Sequence, residues 1–247
     1  ALVLQYLGDK YPELADGEER DVAHALMMST AEPVIANASG LEASPRQQGA
    51  GLVDAYQAVT SDVYLTVKGE KPKAELGDSS TGKYTFSFEI HNIGDEAVTY
   101  DLAGTMNTEY PADGGGIYFM YGADMPLSGS VSFDKESVTV PAGGNAYVYV
   151  TVALSEDDKA MFRQYWENGG YVEGYIYLVS SNEEGAITSQ LNLPYLGFYG
   201  DWTKAPVFDS AFWYDNSFFG YAPADGLPEG NEYFHVLWTS LAGTDWV

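Results

Sequence analysis

Two periods divide this chain. Apolar side chains recur at helical spacing up to about residue 60, and from Val63 onward they alternate. Ala1-Leu2-Val3-Leu4-Gln5-Tyr6-Leu7 is apolar on most sides, which predicts a helix buried in a larger body, with Gly8 as its stop and Pro12 in the loop beyond. Gly17-Glu18-Glu19-Arg20-Asp21 opens a second helix with acids at its positive end. Its inner stripe runs Val22, Ala25, Leu26 and Ser29, and Pro33 ends it. Residues 34–49 read as a loop of small residues. Gly51 to about Thr60 reads as a third helix, with Leu52, Val53, Tyr56 and Val59 on one apolar face.

The alternating part begins with Val63, Leu65 and Val67, then Tyr84, Phe86, Phe88 and Ile90, closed by a turn at His91-Asn92-Ile93-Gly94. Val98, Tyr100 and Leu102 follow, then Val131, Phe133, Val138 and Val140. Pro141-Ala142-Gly143-Gly144-Asn145 reads as a hairpin into Val148, Val150 and Val152. Tyr171–Val179 and Ala186–Leu193 form a last pair turned at residues 181–185. About seven strands at this spacing predict an antiparallel β-sandwich, with Leu65, Phe86, Phe88, Val148 and Val150 in its core. Such a sandwich is expected to fold without the helices.

Composition narrows the function classes. The 247 residues hold 36 Asp and Glu against 11 Lys and Arg, a formal net charge of −25. That field repels nucleic acid and anionic membrane surfaces, so neither is expected as a partner. It suits an exported, wall-associated or cation-binding protein. Absence of cysteine excludes disulfides, thiolate metal sites and cysteine nucleophiles. No apolar run reaches the roughly 18 residues that span a bilayer, so no membrane insertion is expected.

One motif carries more information than the composition. Ser44-Pro45-Arg46-Gln47-Gln48-Gly49-Ala50-Gly51-Leu52-Val53-Asp54-Ala55 resembles the closing segment of the catalytic domain in subtilisin-like serine proteases, above all the lactocepin-like cell-envelope proteinases. Its glycines suit positive φ and close backbone approach. Leu193-Pro194-Tyr195-Leu196-Gly197-Phe198-Tyr199-Gly200 resembles the exit sequence of the fibronectin type III-like domain that follows in those enzymes. The departure is Met27-Met28-Ser29-Thr30-Ala31, where relatives usually carry Asn before Thr-Ala.

The resemblance implies a division into residues 1–61, the last helices of a subtilase α/β domain; residues 62–200, a fibronectin type III-like sandwich; and residues 201–247, an aromatic-rich extension or the start of a further β-module. It implies a fragment of an exported serine endopeptidase, extracellular or wall-associated, in which the sandwich braces the catalytic domain and shapes access of protein substrates. The expected partners are the upstream catalytic domain of the parent chain and the substrates of that parent. The family's Gly-Thr-Ser-Met-Ala nucleophile segment is absent here, so the fragment is expected to be catalytically inactive and to hold no catalytic, cofactor or metal residue. Leu2, Val3, Leu4, Tyr6 and Leu7 are then expected to lose their covering strands, leaving an exposed N-terminal helix open to self-association.

Other chemistry is weaker. A triad needs a base between a nucleophile and a carboxylate, and His24, His91 and His235 lie in no such motif. Glu18/Glu19, Asp157/Asp158 and Glu183/Glu184 read as caps, loops or turns. Asp201, Asp209, Asp215 and Asn216 are hard-oxygen candidates for calcium, but without the Asp-x-Asp-x-Asp-Gly spacing. Gly114-Gly115-Gly116 lacks the following Lys-Ser/Thr of a phosphate loop. Trp202, Trp213, Tyr214 and Trp238 are a candidate sugar platform or an aromatic seam. The rival function is therefore an extracellular adhesion or carbohydrate-binding β-module.

Overall fold

A computed structural model describes residues 1–12, 14, 17–35, 40–68, 71–113, 118–166, 169–181 and 185–203. His235, Asp209, Asp215, Asn216, Trp213, Tyr214, Trp238, Gly114–Gly116 and Glu183/Glu184 lie outside the described residues.

The chain is mainly β, a two-sheet sandwich with a helical layer on one side. The first sheet is β1 (Val63–Thr66), β3 (Lys83–Asn92), β9 (Asn145–Ala153) and β7 (Ser130–Phe133), all neighbours antiparallel. The second runs β2 (Ala74–Ser79), β11 (Ile187–Gly200), β10 (Gly169–Ser181), β4 (Val98–Gly104) and β8 (Ser137–Val140). A hairpin of β5 (Asn107–Asp113) and β6 (Tyr118–Pro126) joins it where Asn107 pairs Glu173 of β10. Between the sheets Leu65, Phe88, Ile90, Val148, Val150, Val152, Ile176 and Leu193 are buried, and Phe86 is half-buried against them. The alternation placed these strands in register, because a one-residue slip would turn every one of these side chains to water.

Two details of the sandwich expectation need correction, and one element was not anticipated. Pro141–Asn145 is not a hairpin: β8 pairs β4 in one sheet and β9 pairs β3 and β7 in the other, so the turn carries the chain across the sandwich. Asn92 ties that crossing down, its Nδ2 donating to Pro141 O at 3.1 Å and its backbone N to Gly144 O at 2.9 Å. A hairpin and a sheet-to-sheet corner have the same alternation and the same turn residues, which is why the sequence pattern does not separate them. Secondly, β2 and β11 run parallel. Thirdly, residues 156–165 form a helix, α5 (Glu156–Tyr165), that the strand reading passed over. Its signal is a reciprocal cap: Asp158 N donates to Ser155 Oγ at 3.0 Å and Ser155 N to Asp158 Oδ2 at 2.9 Å. Burial opposes the charge on Asp158, but hydrogen bonds from the backbone of Ser128 and Ser155 outweigh it and hold the carboxyl below its ordinary range.

The helical layer is α1 (Leu2–Lys10), α2 (Glu18–Ser29), α3 (Pro45–Gln48) and α4 (Ala55–Thr60). The first helix runs through Gly8 to Lys10 rather than stopping there. Val3 and Leu7 are buried with Tyr11, Val22, Ala23, Leu26 and Ala58 in a small core of their own, with Tyr64 and Ile93 of the sandwich packed on it. The N-terminal helix therefore keeps partners for three of its five apolar residues, Val3, Leu7 and the half-buried Tyr6, while Leu2 is 70% exposed and Leu4 is also exposed. At its end Asp62 Oδ1 accepts from Lys10 Nζ and Tyr11 Oη, both at 2.7 Å, and burial together with that bond pushes the Tyr11 phenol up to about 12.

The third predicted helix is also corrected. Leu52 instead pairs Glu32 in an isolated bridge, and the helix starts only at Ala55, where Asp54 Oδ1 accepts from Tyr56 N and Gln57 N. Ala58 turns inward and the larger residues outward, Leu52 at 67% and Tyr56 at 72% exposure. Of the predicted stripe, Leu52, Val53 and Tyr56 face away from this chain's own core, while Val59 packs on it half-buried.

Candidate functional site

The segment that carries the family resemblance is also the one that docks the helical layer on the sandwich. Ser44 begins α3 with its Oγ accepting from Arg46 N at 3.1 Å, and Pro45 occupies the first helical position, where no amide donor is missed. Gln48 closes the loop on itself, donating from Nε2 to Ala43 O at 2.7 Å and accepting at Oε1 from Val34 N at 2.8 Å. Gly49 has φ +65°. Gly51 has φ +117°, and a Cβ there would lie 2.2 Å from Glu32 O, so only glycine permits the bridge between residues 32 and 52.

Beneath this loop β10 is buried on both faces. Val172, Ile176 and Leu178 enter the sandwich core, while Tyr171, Glu173, Tyr175 and Tyr177 turn to the helical layer. The Arg46 guanidinium grips the fully buried Glu173 as a fork, with Nε to Oε2 at 3.1 Å and Nη2 to Oε1 at 2.8 Å. Ser44 Oγ donates a third bond to Glu173 Oε2 at 2.6 Å. Nη2 also reaches Glu109 Oε1 of β5 at 2.8 Å, and the guanidinium carbon lies 3.7 Å from the ring centroid of Tyr171. Tyr175 Oη lies 3.0 Å from Ala43 O and 3.1 Å from Gly49 O, and Tyr177 Oη donates to Glu42 Oε1 at 3.0 Å.

The electrostatics are those of a clamp. One guanidinium serves two carboxylates in a largely buried seam, and Glu109 Oε2 is buried with no hydrogen-bond partner among the described residues. Burial raises the Glu109 carboxyl and the Glu173 charge adds to this, only partly offset by Arg46. Burial and the Glu173 charge likewise hold the Tyr195 phenol protonated, and its hydroxyl donates to Thr105 O at 2.6 Å. A second polar anchor lies on the Met27–Ala31 stretch. Ser29 Oγ accepts from Leu65 N at 2.9 Å, and Asn192 Nδ2 donates to Ala31 O. A serine hydroxyl thus holds the backbone of β1.

The other candidates are not assembled into a site. His24 is exposed on α2. His91 Nε2 lies 2.8 Å from Thr66 Oγ1 and 3.7 Å from Glu89 Oε2, and its ring stacks on Tyr64 at 4.7 Å. Hydroxyl and carboxylate thus share one ring nitrogen, whereas a triad places them on opposite nitrogens. Burial lowers the pKa of His91, with Glu89 opposing. Asp201 is bound within its own turn, accepting from Thr203 N at 3.0 Å. Among the described residues no three His, Asp or Glu side chains group as metal ligands. Trp202 packs edge-on against Phe198 and Tyr171. The motif at residues 44–55 was legible in sequence, but its acceptor was not. Glu173 sits in a strand whose second face, Tyr-x-Glu-x-Tyr-x-Tyr, was its only local signal.

Residues 74–196, the body of the sandwich, match the family of Fn3-like domains. Over 228 residues, 85% of this chain and 11% of the relative, the chain is 28% identical to the PI-type proteinase of Lactococcus lactis subsp. cremoris. Over 208 residues it is 26% identical to the C5a peptidase of Streptococcus pyogenes, covering 81% of this chain and 17% of the peptidase. The sandwich is an Fn3-like domain, and the chain is related to subtilisin-like cell-envelope proteinases. It spans only a small part of their length. Among solved structures, the ASH/PapD-like domain of human CEP192 aligns with a TM-score of 0.36 at 14% identity, covering 56% of this chain and 85% of that domain.

Proposed function

We propose that this chain is the junction of an exported subtilisin-like serine endopeptidase. The helical layer closes the catalytic domain, and the Fn3-like sandwich braces it from outside the cell or on the wall. The observation that carries this reading is the Arg46 clamp. The segment resembling the end of a catalytic domain is bound by a fork to a buried carboxylate of the sandwich, which supports a brace between the two parts. The outward stripe of Leu52, Val53 and Tyr56, beside the exposed Leu2, is then the surface on which the rest of a catalytic domain rests. On the same reading, protein substrates are cleaved elsewhere in the parent and this stretch supplies no nucleophile.

Two measurements test the proposal. A fluorophosphonate probe is expected to leave every serine of this chain unlabelled, and folded-state labelling of one serine would overturn the inactive reading. Joined to its upstream coding region, the chain is expected to gain peptidase activity that Glu173→Gln reduces through weaker docking. Unchanged activity and thermal stability in that variant would remove the bracing role.

A further inference from the structure

The helical layer packs on β1 and on the second sheet, and β9 stands beyond β3 from it. The alternation that buries Phe88, Val148 and Val150 turns Thr85, Ser87 and Glu89 of β3 and Tyr147, Tyr149 and Thr151 of β9 to the outer face of the first sheet. The register sets Glu89 beside Tyr147 and Ser87 beside Tyr149. Tyr147 is 53% exposed and Tyr149 62%, with their Cα atoms about 6.5 Å apart along one strand. Among the described residues neither ring packs on another ring or carries a cation on its face. The hydroxyls of Thr85, Ser87, Tyr149 and Thr151 likewise make no hydrogen bond within the described chain.

From this face we infer a binding site for a neutral, β-linked oligosaccharide, with Tyr147 and Tyr149 as its stacking platform. A pyranose with equatorial hydroxyls has two flat C–H faces and a polar rim. Its C–H face is slightly positive and lies favourably on the negative face of an aromatic ring. The rim then reaches hydroxyls standing in the same plane, each of which can both donate and accept. A β-linkage keeps successive rings in one flat ribbon, so two tyrosines in line on one strand can meet the ribbon together.

The charge of the face selects a neutral ligand. The whole chain carries −25, yet here Lys83 and Lys135 offset Glu89 and Asp134, and both carboxylates are engaged. Glu89 Oε1 accepts from Tyr147 Oη and Asn145 Nδ2, both at 2.8 Å. Asp134 meets Lys135 Nζ at 3.1 Å and accepts from Tyr149 N at 2.9 Å. A cation would have to displace these bonds, and the field of the whole chain repels a polyanion. An uncharged polyol meets neither obstacle. A protein partner would need an apolar patch at the centre of the contact, whereas the neighbours of these rings on β3 and β9 are hydroxyl-bearing or charged. The bond from Tyr147 to Glu89 also holds that ring in place before a ligand arrives, which lowers the ordering cost of binding.

The test is titration of the full chain, with isotopically labelled tyrosine rings, against cellohexaose, chitohexaose, the α-linked maltohexaose and the anionic hexagalacturonate. Binding is read by the ring resonances of Tyr147 and Tyr149, assigned by their loss in Tyr147→Phe and Tyr149→Phe. Cellohexaose and chitohexaose are expected to shift both and to approach saturation by about 10 mM, with maltohexaose and hexagalacturonate about tenfold weaker. Tyr149→Ala is expected to weaken cellohexaose by about the same factor, while Tyr149→Phe, which keeps the ring, loses less. No shift at about 10 mM would overturn the proposal. Equal binding of hexagalacturonate would refute the choice of a neutral ligand, and equal binding of maltohexaose the flat ribbon. Affinity indifferent to Tyr149→Ala would put the sugar elsewhere on the chain. A concentration-dependent dimer in sedimentation, lost in Tyr149→Ser, would give the face to a second copy instead.

Discussion

The sandwich and the helical layer are built on different terms. The sandwich encloses an unbroken apolar core running from Val63 to Tyr195, fed by strands of both sheets. Among the described residues the helical layer has a small core of seven buried residues, on which Tyr64 and Ile93 of the sandwich pack, and polar bonds add to its attachment: the Arg46 fork, the Ser29 hydroxyl, the tyrosines of β10. It also turns Leu2, Leu52, Val53 and Tyr56 to water, which the sandwich does with few residues of that size. The difference teaches how a small layer is held in place. Apolar burial gives the sandwich its stability, whereas directional bonds to a rigid neighbour fix the position of a layer too thin to define itself.

The largest effect that would break this comparison is in the sandwich core. Phe88→Ala is expected to cost about 3–5 kcal/mol and lower the global unfolding transition seen by circular dichroism. A cost below about 1 kcal/mol would mean that the strand does not depend on that face.

Next comes the clamp. Arg46→Met leaves Glu173 buried without its fork, a loss of about 3 kcal/mol or more where one partner of a buried pair is removed. The loss is expected to fall on the helical layer. Hydrogen exchange should accelerate across residues 41–50 and α2 while β3 and β9 remain protected. Uniform loss of protection would show that the two regions unfold together and that the sandwich is not independent.

The clamp also sets a pH dependence. Because the folded-state pKa of Glu109 is raised above its unfolded value, the folded protein binds the proton more tightly. The contribution of Glu109 is therefore fully present below the unfolded pKa of about 4.5 and is lost as pH rises through the folded value. Glu109→Gln is expected to flatten this part of the stability-versus-pH curve and to be more stable than the parent at neutral pH. A variant whose curve parallels that of the parent would show that Glu109 is not the titrating group.

Smallest is the outward face. Tyr56→Ser is expected to change stability by no more than about 0.5 kcal/mol, since its ring has little to lose here. A larger destabilisation would place the ring against something within this chain and weaken its reading as a docking surface.

The sequence alone determined a good deal of this. Period-two alternation marked β1, β3, β4, β9 and β10 and the core residues Leu65, Phe88, Val148 and Val150, because one buried face imposes its register on a strand. The Ser44–Ala55 motif was visible by its resemblance to a known closing segment, and its glycines fit the positive φ and close backbone contact found there. Tertiary structure decided the rest. Whether Pro141–Asn145 turns back or crosses between sheets depends on which strands lie beside β8 and β9, not on the turn. Whether Leu52 and Tyr56 are core or surface depends on what stands opposite them. Arg46 and Glu173 are 127 positions apart, and nothing in either neighbourhood names the other. Local steric rules and periodicity act within a few residues and can be read from the order of the chain. A buried ion pair between distant strands exists only once the fold has removed both groups from water and left each as the other's best partner.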